Sequence, residues 1–401
     1  MVNIISAIET GNIFGWLILQ LYNLIQNYAL TVIVFTLLFK IVMSPLDFWQ
    51  KSLMRKNNKA MKIMKPKLEQ IKKESGDNQQ LYLQKQQALY KQHGYSMLGA
   101  CLPTIVTLVL FIIILGGFTA MVKYQNQTTF EYLKGAYEEE YGSAYADYKT
   151  AGDSDTQADE KATADAQALV QKEYQSKKDS FLWVKNIFMP DTPWSAAVPD
   201  WGIFSGTGGG FLGMGRINVD VDKLGWEQYD YDKVMGSIVE EEGAKVNGFL
   251  ILPLICLLLN VLMMKLNPQS AQQPAMAPSF GQNSEASAKS AQMSSKMMIY
   301  MMPAMMFVFA MFYSSAFTLY LTISTTFSIV FNYVYNTIAK KKDKVEEEVA
   351  ANTTYVRKSE LEAIKKHKEK EEREKLEKEK DEKAKKILEK TQSKFKDIDK
   401  L

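Results

Sequence analysis

Lys40 is the residue with most to explain. It interrupts an otherwise apolar run, YALTVIVFTLLFKIVMSPL at 28–46. An ionisable group inside such a run is costly unless it is hydrated, paired, or able to snorkel to the interface. Thr36, Lys40 and Ser44 stand at i, i+4 and i+8, one face of a helix. A second apolar run, 316–338, carries Ser324, Thr325, Ser328 and Asn332. Polar faces of this kind around one cation suit a water-containing cavity among membrane helices, which would attract acidic segments crossing the bilayer. The blander reading has Lys40 snorkelling and the hydroxyls acting as ordinary helix packing glue.

Bond-making chemistry has no candidates. The two histidines, His93 and His367, stand far apart, and there is no HExxH, no GxSxG and no carboxylate pair inside an apolar run. Cys101 and Cys256 lie in separate apolar runs without metal-ligand spacing, so neither a disulfide framework nor a zinc site is expected. Gly206, Gly208, Gly209 and Gly210 follow no strand pattern and precede no Lys-Ser/Thr, so they read as a flexible loop instead of a phosphate cradle. The sequence therefore predicts no enzyme, no cofactor, no metal and no DNA partner.

The elements that must position Lys40 are hidden in the averages. A net charge of +3 over 401 residues and a mean hydropathy of −0.18 look like those of a soluble protein. Apolar residues are instead gathered into blocks near the roughly 20 residues that cross about 30 Å of hydrocarbon. The blocks predict five transmembrane helices at 27–49, 97–122, 248–266, 297–313 and 316–338, an all-α membrane protein. A shorter apolar stretch, 13–25, holds Gln20, Asn23, Trp16 and Tyr22 and reads as an interfacial helix within an external N-terminus, 1–26. No basic residue or small-residue cleavage site marks a removed signal.

Positive-inside counting sets the orientation. The segment 50–96 is loaded with Lys51, Arg55, Lys56, Lys59, Lys62, Lys65, Lys67, Lys72, Lys73, Lys85 and Lys91, which places it in the cytoplasm and the N-terminus outside. Five crossings then leave 123–247 outside, 267–296 inside and the C-terminus in the cytoplasm. The outside segment holds about twice as many acidic as basic residues, the direction the rule requires.

Within 50–96, two runs flank Ser75–Asn78 and predict a helical hairpin whose lysines face anionic headgroups or simply solubilise it. Residues 131–180 read as a polar helical hairpin, and 190–216 as an irregular Pro/Trp/Gly loop. Residues 267–296 form a Gln/Ser/Ala/Pro-rich linker, and 339–401 a dense Lys/Glu tail, either an isolated charged helix or disordered. The fourth span is rich in methionine, which suits either a surface meeting many apolar sequences or plain lipid-facing filler. Pro103, Pro253 and Pro303 each introduce a bend.

Several strings carry a resemblance: TVIVFTLLFKIVMSPLDFWQ, KAMKIMKPKLEQIKKE, ALYKQHG, LGACLP, SFLWVKNIFMPD, MMKLNP, MMIYMMP and LYLTISTTFSIV. In order and spacing they resemble the YidC/Oxa family of membrane protein insertases. The resemblance leaves out 131–179, 192–246 and the tail. It implies a bundle of five helices around a hydrophilic groove open to the cytoplasm and to lipid, with Lys40 at the family's groove arginine and Thr36 at its groove threonine. It implies a bacterial cytoplasmic membrane, nascent membrane proteins as substrates, and partners extending to a Sec-type channel and, through the basic tail, the ribosome. Lysine in place of arginine keeps the charge but loses the planar fork.

Two other readings compete with the insertase. A small-solute transporter or channel predicts matching broken helices or a continuous polar path, and the sequence has neither. The spans could also be only an anchor for 123–247.

Overall fold

The computed structural model describes residues 13–76, 78–93, 97–209, 213–266 and 303–351, together with residues 366, 369 and 370. The predicted linker 267–296, the first residues of the fourth span, 297–302, and nearly all of the tail beyond 351 lie outside the described residues. Those described are mostly helical, with irregular stretches at 178–200, 213–220 and 243–250 and two isolated β-bridges, Phe181 with Val184 and Ala196 with Val246.

Two helices dominate. Tyr28–Ser75 (α2, after α1 at Ile13–Ile25) is a single helix of 48 residues, begun by Asn27, whose side chain accepts from the Leu30 amide at 2.9 Å. It does not stop where the apolar run stops. The basic residues that follow are good helix formers, so the membrane segment and the first arm of the hairpin are one rod of about 70 Å at ~1.5 Å per residue. The second arm, α3 (Gln79–Gln92), folds back on it around Met64, Leu89 and Tyr90. Met97–Thr150 (α4, 54 residues) likewise runs past its apolar half into EYLKGAYEEEYGSAYADYKT.

Beyond that apolar half, α4 pairs with α5 (Asp155–Lys177), which opens on a capping box of Ser154 and Gln157. Ala158, Ala162, Ala166, Val170 and Tyr174 recur every four residues on α5 and are all buried, the small alanines allowing close approach. Tyrosines of α4 reach across to acidic residues of α5: Tyr132 to Glu173 at 2.8 Å, Tyr141 to Asp159 at 2.6 Å and Tyr148 to Asp165 at 2.8 Å. Against this hairpin packs a compact excursion, 195–247, containing α6 (Trp201–Ser205), α7 (Val221–Leu224) and α8 (Gln228–Glu242). Phe130, Phe204, Trp226 and Tyr231 form its aromatic centre.

The apolar bundle has its own core. Ile18 and Leu19 of α1 meet Tyr28, Val32 and Phe35 of α2, Ile114, Phe118 and Met121 of α4, Cys256 of α9 (Ile251–Leu266), and Phe317 and Tyr320 of α11 (Ser315–Ala351). α10 (Pro303–Phe312) adds Phe309, 5.7 Å from Phe111. Three helices are long and apolar enough to cross a membrane: Tyr28–Met61, Ile105–Thr150 and Ser315–Asp343. α1, α9 and α10 are shorter apolar helices. The residues fall into two compact units, Met1–Val330 and Phe331–Leu401, the boundary lying within α11.

One short segment, Lys185–Asp191, ties the first unit together. Asp191 is fully buried. Its carboxylate accepts from the amides of Phe249 (2.8 Å) and Leu252 (2.7 Å) and from Trp183 Nε1 (3.1 Å), so it caps the start of α9. The Asn247 amide donates to the carbonyls of Asn186, Met189 and Pro190. At the head of α11, Ser315 donates twice to the Met189 carbonyl and the Ala316 amide to Ile187. Asp179 accepts from Tyr22 Oη and the Tyr28 amide, which brings in α1 and α2. Gly248 is obligatory here, because a Cβ would collide with Asp191 Oδ1.

Replacing Asp191 with alanine strands three donors, two of them backbone amides. We expect Asp191→Ala to lower the stability of the full chain in detergent by about 3 kcal/mol or more, at ~1–3 kcal/mol per unmet buried donor. Gly248→Ala should be destabilising for a steric reason. Thermal unfolding of the two variants checks both, and wild-type stability in Asp191→Ala would contradict the capping role.

Candidate functional site

Lys40 sits on α2 at the edge of the apolar core, half-buried. Its Nζ donates to Ser328 Oγ on α11 at 3.2 Å, and Ser328 Oγ in turn donates to the Ser324 carbonyl at 2.9 Å. The hydroxyl thus satisfies the helix backbone with its proton and the ammonium with a lone pair. This bond brings together residues 288 positions apart.

The other sequence-predicted residues divide. Thr36 is fully buried one turn from Lys40 and donates to the Val32 carbonyl at 2.6 Å. Ser324 and Thr325 are half-buried on α11 near Ser328. Ser44 follows Lys40 by one turn, but its hydroxyl donates to the Ile41 carbonyl at 2.8 Å. Pro45, next in sequence, has no amide proton and so leaves the Ile41 carbonyl without its helical donor. Ser44 fills that gap. Asn332 belongs to the unit Phe331–Leu401 and is described only by its place on α11, four residues beyond Ser328.

Threonines continue the pattern along α11. Thr318 donates to the Ala310 carbonyl of α10 at 2.9 Å, Thr322 to Thr318 at 2.9 Å and Thr326 to Thr322 at 2.8 Å. On the N-terminal side of Lys40 the bundle is filled by rings: Phe35 lies 6.3 Å from Phe118, which lies 5.8 Å from Phe317 and 5.3 Å from Tyr320. The outward side of α2 exposes Leu37, Leu38, Ile41 and Val42. Lys40 therefore stands between an aromatic plug on one side and the more polar course of α2 on the other.

Sequence reasoning missed two charged groups beside it. Asp47 interacts electrostatically with both Lys40 and Lys51. These residues sit at i, i+7 and i+11, close to one line along α2. The spacing was legible, but Asp47 falls where the apolar run is already ending, so nothing marked it as part of the same face. Among the described residues no group of His, Cys, Asp or Glu is placed to hold a metal ion.

The family described as 60Kd inner membrane protein matches residues 20–343, from α1 through most of α11. The chain belongs to that family. As a 60Kd inner membrane protein it is a membrane protein, and the match runs through the excursion that the shorter sequence strings leave out. It is similar to the membrane protein insertase YidC of Haemophilus ducreyi, 29% identical over 119 residues, which is 30% of this chain and 22% of that protein. The insertase YidC of Pasteurella multocida is equally similar, 29% over 119 residues, 21% of its length. That of Leptospira interrogans is 30% identical over 112 residues, 28% of this chain and 17% of the relative. The alignments thus take in about a fifth of the length of these relatives.

The role of Ser44 can be separated from that of the groove-facing hydroxyl predicted from spacing. Ser44→Ala should cost about 1 kcal/mol, the net worth of one hydrogen bond. The same change in a Pro45→Ala background, where a backbone amide returns to Ile41, should cost nothing. A double-mutant cycle on thermal stability measures the difference. An equal cost in both backgrounds would assign the hydroxyl to something other than the proline gap.

Proposed function

We propose that this protein is a membrane protein insertase and chaperone, guiding hydrophobic segments of newly made proteins into the bilayer. The observation that carries the reading is the Lys40–Ser328 bond, a cation held on a hydroxyl of another helix inside an apolar bundle. Such a cation has no packing role that a leucine would not fill better. It lowers the cost of bringing a polar or acidic segment part-way across hydrocarbon, because it supplies charge and hydrogen bonds where lipid offers none.

In this reading α2, α4, α9, α10 and α11 are the five spans, with the N-terminus outside and the C-terminus in the cytoplasm. The groove is lined by Lys40, Thr36, Ser44, Ser324, Thr325 and Ser328, with Asn332 further along α11, and opens toward the cytoplasm and lipid. Support comes from the aromatic plug on the N-terminal side of Lys40 and from the lysines concentrated beyond Asp47. A short polar tail of the substrate enters beside Lys40, its apolar segment slides past α9 and α11 into lipid, and the tail is released outside. Nascent membrane proteins and the bilayer are the partners. A Sec-type channel and the ribosome, the latter through the basic tail, are further partners consistent with this reading. The setting is a bacterial cytoplasmic membrane, and no covalent chemistry is involved.

Depletion of the protein followed by rescue tests the charge directly. Lys40→Arg should restore insertion of small membrane proteins, and Lys40→Ala should reduce it at least several-fold. Equal rescue by both would remove the cation from the mechanism. Photo-crosslinking from positions 36, 40 and 324 to a nascent single-span protein should give adducts at all three, whereas lipid adducts alone would argue against a groove.

A further inference from the structure

The knot around Asp191 carries three large apolar side chains that no packing explains. Leu182 is 74% exposed, Trp194 57% and Phe249 59%. All three lie within three residues of a hydrogen bond in that knot: Trp183 bonds Asp191, the Asn247 amide bonds the Ser195 carbonyl, and the Phe249 amide bonds Asp191. The same carboxylate caps the first turn of α9. Whatever depth the head of α9 occupies, these side chains occupy nearly the same one.

Two observations point to what covers them. The exposed apolar stripe of α9 runs Ile251, Leu254, Leu258 and Leu262, and Phe249 extends it beyond the helix. That stripe is the lipid-facing side of an apolar helix, so the exposed group is continuous with a lipid surface. Leu182, moreover, occupies a left-handed conformation, φ +53°, in the tight turn closed by the Phe181–Val184 bridge. Glycine or asparagine would sit there with less strain. A leucine held in that conformation and aimed outward in water has neither local nor solvation advantage. Tryptophan at 194 fits the boundary between headgroups and acyl chains, where an indole finds both apolar contact and hydrogen-bond partners.

We propose that Leu182, Trp194 and Phe249 form a membrane-dipping anchor that seats the 123–247 region on the leaflet at the Ile251 end of α9. The partner is the lipid interface itself. The anchor holds the head of α9 and the Lys185–Asp191 segment at fixed depth, and through Ser315 and Ala316 it also fixes the head of α11. It rests on reading α9 as a span, but not on which side of the membrane its head faces.

The test places p-benzoylphenylalanine singly at positions 182, 194 and 249 of the full chain in native membranes. Leu258, 67% exposed in mid-helix, and Tyr229, 71% exposed on α8 away from the knot, serve as controls. Membrane yield equal to that of the unmodified chain reports intact folding at each position. On irradiation, mass spectrometry should find phospholipid adducts at 182, 194 and 249 approaching those at 258 and several-fold above those at 229. Adducts at 258 with only the 229 level at 182 and 194 would overturn the anchor and leave the span intact. Absence of adducts at 258 would overturn the span and the anchor with it. Protein adducts in place of lipid at 182 and 194 would show a docked chain there and refute the lipid assignment.

Discussion

Hydrocarbon offers no hydrogen bonds, and every polar group that α2 and α11 carry into the bundle must find its partner inside the protein. A run of serine and threonine hydroxyls meets this constraint in one way, while Tyr28 Oη and the Asn332 amide stay buried without a hydrogen-bond partner. Threonine and serine hydroxyls turn back to the carbonyl four residues earlier or to a neighbouring helix, as Thr36, Thr318, Thr322 and Ser328 do. That arrangement uses the proton and leaves lone pairs. Only where a donor arrives from another helix does a lone pair become valuable, and Lys40 on Ser328 is that place. Replace Ser328 by alanine and the ammonium faces a bare helix; replace Lys40 by leucine and the hydroxyl remains satisfied by Ser324. The asymmetry marks the lysine, and not the serine, as the group whose presence needs a purpose.

The same constraint shapes the heads of the helices. The first amides of α9 have no intrahelical acceptors, and at a site as buried as Asp191 and Leu252 water does not supply them. Asp191 does so from a segment that also receives Ser315 and Ala316 at the head of α11. The excursion 195–247 leaves and re-enters at this point, its ends paired through Ala197 to Lys245 and Asn247 to Ser195. A long insertion therefore imposes little on the bundle: the chain departs from one side of a closed hydrogen-bonded ring and returns to the other. Loop closure of this kind costs slowly with length, which is how a region of this size can be tolerated between two apolar helices.

Hydropathy reads solvent and not backbone, and that accounts for what the sequence disclosed. The apolar blocks and the charge of Lys40 were legible because hydrocarbon selects composition. The helix ends were not, since residues 50–75 and 123–150 continue their helices in polar residues with good helical propensity. Ser44 was legible as a member of the polar face, yet its partner depends on the neighbouring Pro45, a backbone effect that periodicity does not register. Asp191 was visible only inside the string SFLWVKNIFMPD. Its acceptors' partners lie 58 and 61 residues away across an excursion, a distance over which no local pattern carries information.

Continuity of α2 has a mechanical consequence. Lys40 and the basic hairpin arm are parts of one helix, so a displacement of the arm is transmitted to the ammonium unless something between them yields. Pro45 is the one interruption in that stretch, five residues past Lys40, and Ser44 repairs the carbonyl it frees. The repaired turn keeps a donor on the Ile41 carbonyl although Pro45 supplies none, so the helix runs on through the proline. Asp47 and Lys51 lie just beyond Pro45 and interact with each other and with Lys40. Lys40, Asp47 and Lys51 thus form one row of charges on the same helix as the hairpin arm, and the field beside Ser328 is set by all three, not by the ammonium alone.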